Sequence, residues 1–165
     1  PGPVPTAQNR AGTVLYDAVY LAAQEKLKGE VGRKVIVVIS DGVDTGSKMS
    51  RAKAIEAAHK ADAVIYAIYY ADPMYRMMTG SGEGDLKKMA EETGGRVFTV
   101  GRNLPLEAVF REIDEDMRAQ YSLGYTPANP NKDGGFRKLE VRTANKDYRV
   151  YARKGYFATA SPDPQ

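Results

Sequence analysis

The sequence predicts an α/β fold: a Rossmann-like, mostly parallel sheet with helices on both faces, followed by a small antiparallel β meander. Helix-type and strand-type segments alternate from Val14 to Met117, and this alternation is typical of parallel sheets. The strand-type run Lys34–Ser40 is apolar throughout, as expected for a strand covered on both faces. After Ala119 the apolar residues instead alternate with polar ones, which is typical of an antiparallel sheet.

The individual elements follow from local periodicity. Predicted helices cover residues 14–28, 50–60, 85–92 and 106–117, and predicted parallel strands cover 34–40, 63–70 and 96–100. Thr13 precedes the first helix and is placed to cap it. Beyond the last helix, alternating runs at 120–125, 137–143 and 148–154 predict the strands of the meander.

Composition divides the chain and limits its function. We assign residues 1–12 to a Pro/Gly-rich linker, 13–119 to the α/β domain, 120–157 to the antiparallel extension and 158–165 to a tail. The chain lacks cysteine, which excludes disulfides and thiolate chemistry. A net charge of +3 is too small to indicate nucleic-acid binding. The apolar runs are too short to predict a membrane span.

The most informative candidate site is the end of the first strand, where Ser40, Asp41 and Asp44 follow one another closely. In open α/β sheets, ligands bind beyond the carboxyl ends of the strands. A carboxylate there is well placed to meet a hard cation. The alternative is a turn in which Asp41 accepts backbone N–H groups, and spacing alone favours it. Thr13 is expected at the same end, although spacing alone favours a helix cap.

The sequence contains few candidate catalytic residues. His59 is its single histidine, and we expect it at the surface or at a helix end. Without cysteine or a Gly-x-Ser-x-Gly turn, a nucleophile–base–orienter triad has few candidate residues. A phosphate-handling enzyme using Asp41 is a weaker alternative, because Asp41 and Asp44 stand three apart instead of two. The loop at Gly80–Gly84 lacks the Lys-Ser/Thr of a P-loop and is interpreted as a flexible connection.

Several motifs resemble those of one known family. They are the segments 11–18, 32–42, 91–98, 120–127, 136–138 and 153–157. Together these segments resemble the von Willebrand factor type A (VWFA) domain, and in particular the acidobacterial VWFA-related group. The resemblance extends from about Ala11 to Phe157.

The resemblance implies a metal ion-dependent adhesion site, in which three loops hold Mg²⁺ or Mn²⁺ and a carboxylate of a partner protein often completes the coordination. Thr13 matches the threonine of the second loop, and Asp41 matches the aspartate of the third. Ser40 and Asp44 are candidates to support these ligands without contacting the metal. The Asp-x-Ser-x-Ser of the first loop has no counterpart, and the resemblance places it before Pro1. The metal site is therefore expected to be incomplete in this chain.

These observations predict a protein-binding module for adhesion or assembly, and no enzyme. The alternative is a metal-independent module that self-associates through the strand at Lys34–Ser40. That strand has the composition of a central strand, yet nothing before it in the sequence is suited to pair with its other edge. We therefore expect either missing sequence upstream, where the resemblance places the central strand that would cover this edge, or self-association through the edge. We also expect a protein partner, no nucleic acid and no membrane span.

Overall fold

The computed structural model describes residues 13–70, 82–101 and 104–159. It confirms the predicted fold class: a three-stranded parallel sheet flanked by helices, and a separate two-stranded antiparallel sheet. The predicted linker at 1–12, the first two residues of the Gly-rich loop at 80–84 and the end of the tail lie outside the described residues. None of the described helices is long and apolar enough to cross a membrane.

The elements of the α/β part match the predicted ones within a few residues. In chain order they are α1 (Leu15–Leu21, continued by a π-helical segment, Ala22–Leu27), β1 (Lys34–Ser40), α2 (Arg51–Ala61), β2 (Ala63–Tyr69), α3 (Glu83–Thr93), β3 (Val97–Thr99) and α4 (Leu106–Arg118). Ser50 caps α2 by accepting a hydrogen bond from the backbone N–H of Lys53.

The sheet has the order β1-β2-β3, with β2 in the centre. β1 pairs with β2 over seven residues, from Lys34 opposite Ala63 to Ser40 opposite Tyr69. β3 pairs with the second half of β2 over three residues. Six of the seven β2 residues are buried, which explains why this strand shows no polar–apolar alternation.

The two faces of the sheet have separate cores. One face packs against α1, α2 and α3, through residues that include Leu15, Val19, Ile65, Leu86 and Met89. The opposite face packs against α4, through residues that include Tyr66, Ile68, Phe98, Val109 and Ile113. The helical spacing that predicted α4 is thus explained by burial of its apolar face.

The antiparallel part is smaller than the sequence pattern predicts. β4 (Phe136–Lys138) pairs with β5 (Gly155–Phe157) over three residues. Residues 120–125 and 148–154 contain no strand. Tyr121 and Leu123 are 92% and 75% exposed, so the alternating pattern has no covered face to pack against. Alternation without such a face does not specify a strand.

Thr93, at the end of α3, completes the hydrogen bonding of the central strand. Its hydroxyl accepts a hydrogen bond from the backbone N–H of Ile65 at 2.9 Å and lies 3.0 Å from the carbonyl oxygen of Met89. Ile65 precedes the part of β2 that β3 covers, so the threonine hydroxyl takes the place of a strand partner. The following turn needs Gly95, because a Cβ there would lie 2.0 Å from the carbonyl oxygen of Ile65.

Replacing Thr93 with valine should destabilise the fold by about 1–3 kcal/mol, because it leaves the N–H of Ile65 buried without an acceptor. Urea unfolding followed by circular dichroism measures this change. Thr126→Val at an exposed position is the matched control and should change the free energy of unfolding by less than about 0.5 kcal/mol. Equal effects of the two substitutions would contradict the assigned role of Thr93.

Candidate functional site

The N-terminus of α1 is capped by a distant loop, residues 41–50, which we call the β1–α2 loop. The carboxylate of Asp44 accepts the backbone N–H of Tyr16 at 3.1 Å, and the hydroxyl of Ser47 accepts that of Asp17 at 3.1 Å. Ser47 also donates its hydroxyl to Asp44 at 2.5 Å. Both caps satisfy N–H groups in the first helical turn, which have no partner within the helix.

The predicted cap residue does not fill this role. α1 begins after Val14, and the side chain at this N-cap position accepts no backbone N–H. Thr13 instead contributes its carbonyl oxygen, which accepts the backbone N–H of Thr45 at 3.0 Å. The prediction of a Thr13 cap is therefore wrong, because the loop supplies two better-placed acceptors from elsewhere in the chain.

Asp44 is held in its ionised form by these contacts. Partial burial by itself would raise the pKa of Asp44. Hydrogen bonds from the Ser47 hydroxyl and from the backbone of Tyr16, Ser47 and Gly46 outweigh burial and lower the pKa below its ordinary value of 3.8. Asp17 fixes the other end of the loop by accepting the N–H groups of Lys48 at 3.0 Å and Met49 at 2.7 Å.

Asp41 sits in a turn directly after β1. Its Oδ1 accepts the backbone N–H of Val43 at 3.1 Å and lies 3.4 Å from the hydroxyl of Ser40, which in turn accepts the N–H of Gly42 at 3.0 Å. Gly42 has a φ of +76°, and a Cβ on it would lie 2.2 Å from the carbonyl oxygen of Gly82. The structure thus contains the turn that spacing alone favours, held against the start of α3.

The predicted site residues lie in one neighbourhood. Thr13 and Ser40 line the same cavity, Asp41 follows Ser40, and Asp44 contacts the first turn of α1. Within the described residues, however, no group of three or more His, Cys, Asp or Glu side chains is placed to hold a metal ion. A hard divalent cation prefers six or more oxygen ligands. These residues alone do not fit such a cation, and its binding stays a prediction.

A polar cluster near Asp44 was not anticipated from the sequence. Tyr16 donates its hydroxyl to Asp85, and Arg51 forms an ion pair with the same carboxylate. Burial raises the pKa of Tyr16 to about 12, aided by the hydrogen bond to Asp85 and the negative charges of Asp85 and Asp44. Tyr16, Arg51 and Asp85 lie in the first turns of three different helices, so no local pattern could have predicted their contact.

A cavity of about 470 Å³ lies between α1 and the outer edge of β1. We call it the β1 groove; its lining consists of residues 13–15, 18, 19, 22 and 36–40. Within the described residues, β1 pairs with β2 alone. Val37 and Ile39 beside the groove are 40% and 54% exposed. The predicted unpaired apolar edge is therefore observed in the described part of the chain.

The hydrogen-bond register shows which groups this edge presents. The backbone N–H of Tyr70 donates to the carbonyl oxygen of Ser40 at 3.1 Å, so Ser40 faces β2. In a parallel ladder the N–H and C=O groups of one residue point to the same side, and those of the next residue to the other. Val35, Val37 and Ile39 therefore direct their backbone groups to the open edge.

Comparisons with known proteins identify no relative: no family model, no curated protein and no solved structure matches the chain.

Replacing Asp44 with alanine should cost about 1–2 kcal/mol of stability, because it uncaps α1 and releases Ser47. Asp41→Ala is the matched control and should cost less, since among the described residues Asp41 bonds only within its own turn. Chemical denaturation measures both. A larger loss from Asp41→Ala would contradict the capping role of Asp44.

The contribution of Asp44 should also depend on pH. Its pKa is lower in the folded chain than in the unfolded chain, so the unfolded chain binds the proton more readily in acid. The stabilisation is complete above the unfolded-state pKa and is lost as the pH falls through the folded-state pKa. The difference in unfolding free energy between wild type and Asp44→Ala should therefore shrink below about pH 4. A difference that stays constant down to pH 2 would contradict this account.

Proposed function

We propose that the chain is a protein-binding module for assembly, of the VWFA type that its motifs resemble, and that it acts by pairing β1 with the β1 strand of a second copy. The apolar edge of β1, which no strand covers within the described residues, is the observation that carries this proposal. An exposed apolar strand edge is a template for pairing with another chain.

The sequence of β1 supports a second copy as the occupant. In an antiparallel pair centred on Val37, each copy places Ile36 opposite Val38 and Val35 opposite Ile39 of the other. Lys34 then lies opposite Ser40 of the second copy, so the two lysines are kept apart. A twofold interface of this kind requires a surface that complements itself, and β1 meets that requirement.

The backbone supports the same register. Val37 directs its N–H and C=O groups to the open edge, so the two copies of Val37 exchange both hydrogen bonds in this arrangement. In the same way, Val35 of each copy exchanges two hydrogen bonds with Ile39 of the other copy. The exposed side chains of Val37 and Ile39 lose contact with water in the pair, and burial of apolar surface contributes about 25 cal/mol per Å².

Cysteine cross-linking tests this register, because the chain contains no cysteine. The Cα atoms of a hydrogen-bonded antiparallel pair lie about 5.5 Å apart, within the range that a disulfide spans. Val37→Cys should form a covalent dimer on mild oxidation, visible on a non-reducing gel. Val31→Cys, at a residue that is 95% exposed and outside β1, should form no covalent dimer. Equal cross-linking of both variants would argue against the pairing.

A charge at the twofold axis should dissociate the pair. Val37→Lys places two ammonium groups opposite each other and removes two buried valines, so the dimer dissociation constant should rise by roughly tenfold or more. Val31→Lys is the control with the same change of charge. Sedimentation velocity over a concentration series measures both. A wild-type chain that stays monomeric at all concentrations would contradict the proposal.

Metal-assisted adhesion is a second candidate, favoured by the cavity that Thr13 and Ser40 both line and by Asp41, which directly follows Ser40 at the end of β1. Mg²⁺ or Mn²⁺ would use the hydroxyl of Thr13 and the carboxylate of Asp41, with a partner's carboxylate as a further ligand. Because the described oxygens are few, we expect dissociation constants no tighter than about millimolar.

Calorimetric titration of Mg²⁺ and Mn²⁺ tests the metal candidate, with Asp41→Ala as the control. Saturable binding that this substitution abolishes would support metal-assisted adhesion. Binding that persists in Asp41→Ala, or no binding at all, would leave metal-independent assembly as the function.

A further inference from the structure

The β4–β5 pair is anchored to α2 and α3 at one end. The rings of Phe136 and Phe157 meet each other and His59 of α2, with centroids 5.1 to 6.4 Å apart. The sequence predicted a surface or helix-end position for His59. The residue does lie in the last turn of α2, but it is only 7% exposed, so the surface expectation is wrong. The backbone N–H of Lys154 fixes the pair to α3 by donating to the carbonyl oxygen of Glu92 at 3.0 Å.

The hairpin extends beyond this anchor without a ladder. In the described residues, the last hydrogen bond between its two sides runs from the backbone N–H of Leu139 to the carbonyl oxygen of Lys154, at 2.8 Å. We call the next residues, 140–151, the hairpin arm; the structure describes all of them, each is exposed, and none belongs to a strand. Within this described arm, no backbone hydrogen bond joins 140–143 to 148–151. The arm therefore presents backbone groups with which another extended chain can pair.

The arm has the side chains of a strand. Val141, Tyr148 and Val150 each directly follow a charged residue, and they are 41%, 69% and 38% exposed. This alternation predicted strands at 137–143 and 148–154, where the structure forms only the short β4 and β5 at the anchored end. Side chains of this type are favourable in a strand when a neighbour covers them. Exposed apolar groups gathered in one segment are typical of an interaction surface.

Positive charge is concentrated in the same part of the chain. Residues 120–157 contain eight Lys or Arg and three Asp or Glu, a net charge of +5, whereas the rest contains sixteen and eighteen, a net charge of −2. In the arm, Arg142 is paired with Glu140, whereas Lys146 and Arg149 form no ion pair within the described residues. Two arms of the same charge repel each other, so this surface suits an acidic partner better than a second copy.

We propose that the hairpin arm binds an extended acidic segment of another protein, which pairs with residues 148–151 as an added strand. Backbone hydrogen bonds hold the segment, its apolar side chains contact Tyr148 and Val150, and its carboxylates meet Arg149. Nucleic acid would satisfy the charges, but it has no peptide backbone to pair with the arm. β1 belongs to a different sheet, so this site and the proposed pairing of β1 are tested separately.

Fluorescence anisotropy tests the proposal with a labelled octapeptide of alternating Glu and Val, titrated with the full 165-residue chain up to about 1 mM. This peptide should bind saturably, because as a strand it directs its carboxylates to one face and its valines to the other, as the arm does with its own side chains. An octapeptide with the Glu and the Val in two blocks should bind at least about fivefold more weakly. A peptide of alternating Lys and Val should not bind, because its charge repels the arm.

A thymidine oligonucleotide with the same number of negative charges distinguishes a protein partner from nucleic acid. It should bind more weakly than the alternating Glu-Val peptide, since it cannot pair with the backbone of the arm. Equal or tighter binding of the oligonucleotide, equal binding of the two Glu-Val peptides, or no saturable binding of the alternating one would each overturn the proposal.

Arg149→Glu and Lys28→Glu are matched variants, because both reverse an exposed positive charge and Lys28 lies outside the antiparallel extension. Arg149→Glu should weaken binding of the alternating Glu-Val peptide by about threefold or more, and Lys28→Glu by less than about 1.5-fold. Amide hydrogen exchange at 148–151 should slow when the peptide binds, and exchange in the exposed turn 28–32 should not change. Equal effects of the two substitutions, or unchanged exchange at 148–151, would contradict the addition of a strand to the arm.

Discussion

Hydrogen bonding at β1 is the constraint on which the rest of this structure depends. One edge of the strand is fully paired with β2, and alternate residues direct their backbone groups to the other edge. A buried N–H or C=O group without a partner costs about as much as a lost hydrogen bond. Among the described residues no strand pairs with the outer edge, so its backbone groups are hydrated or receive a strand from elsewhere. Under the proposed function, a second copy would satisfy these backbone groups and cover the apolar side chains beside them.

The β1–α2 loop determines how accessible that edge is. Asp44 and Ser47 bind the first turn of α1, and Asp17 of α1 binds the far end of the loop in return. These reciprocal contacts fix α1 beside the outer edge of β1 and form one wall of the groove. In addition, the carboxylate of Asp44 is occupied by hydrogen bonds from the backbone N–H groups of Tyr16 and Ser47. The polar groups at this end of the sheet thus act mainly in positioning α1. Asp41 is the exception, because in the described residues its carboxylate bonds only within its own turn and not to α1.

The sequence predicted most of the α/β part, because each of its elements is encoded by local periodicity. The continuous apolar run of β1 was predicted with its observed bounds, and the helix spacing of α4 located it within one residue of its end. The meander was less predictable. Residues 120–125 alternate as a strand does, but the fold provides no partner or covered face for them.

The site was predicted by location more than by contacts. Thr13 and Asp41 do lie at one end of the sheet, as parallel topology requires. The cap of α1 could not be predicted, because Asp44 and Tyr16 are 28 residues apart. The burial of His59 could not be predicted from the sequence either, since it follows from the packing of the β4–β5 pair on α2 and not from the sequence of α2. Contacts of this kind depend on tertiary structure and leave no local pattern.

Amide hydrogen exchange in β1, measured by NMR at several protein concentrations, tests self-pairing at the open edge most directly. The N–H groups of Val35, Val37 and Ile39 should become more protected as the concentration rises, because they gain partners only in the dimer. Those of Ile36 and Val38 face β2 and provide an internal control with little change. Pairing with a second copy would be contradicted if the N–H groups of Val35, Val37 and Ile39 were unprotected at every concentration. It would also be contradicted if their protection were already complete at the lowest concentration and did not change.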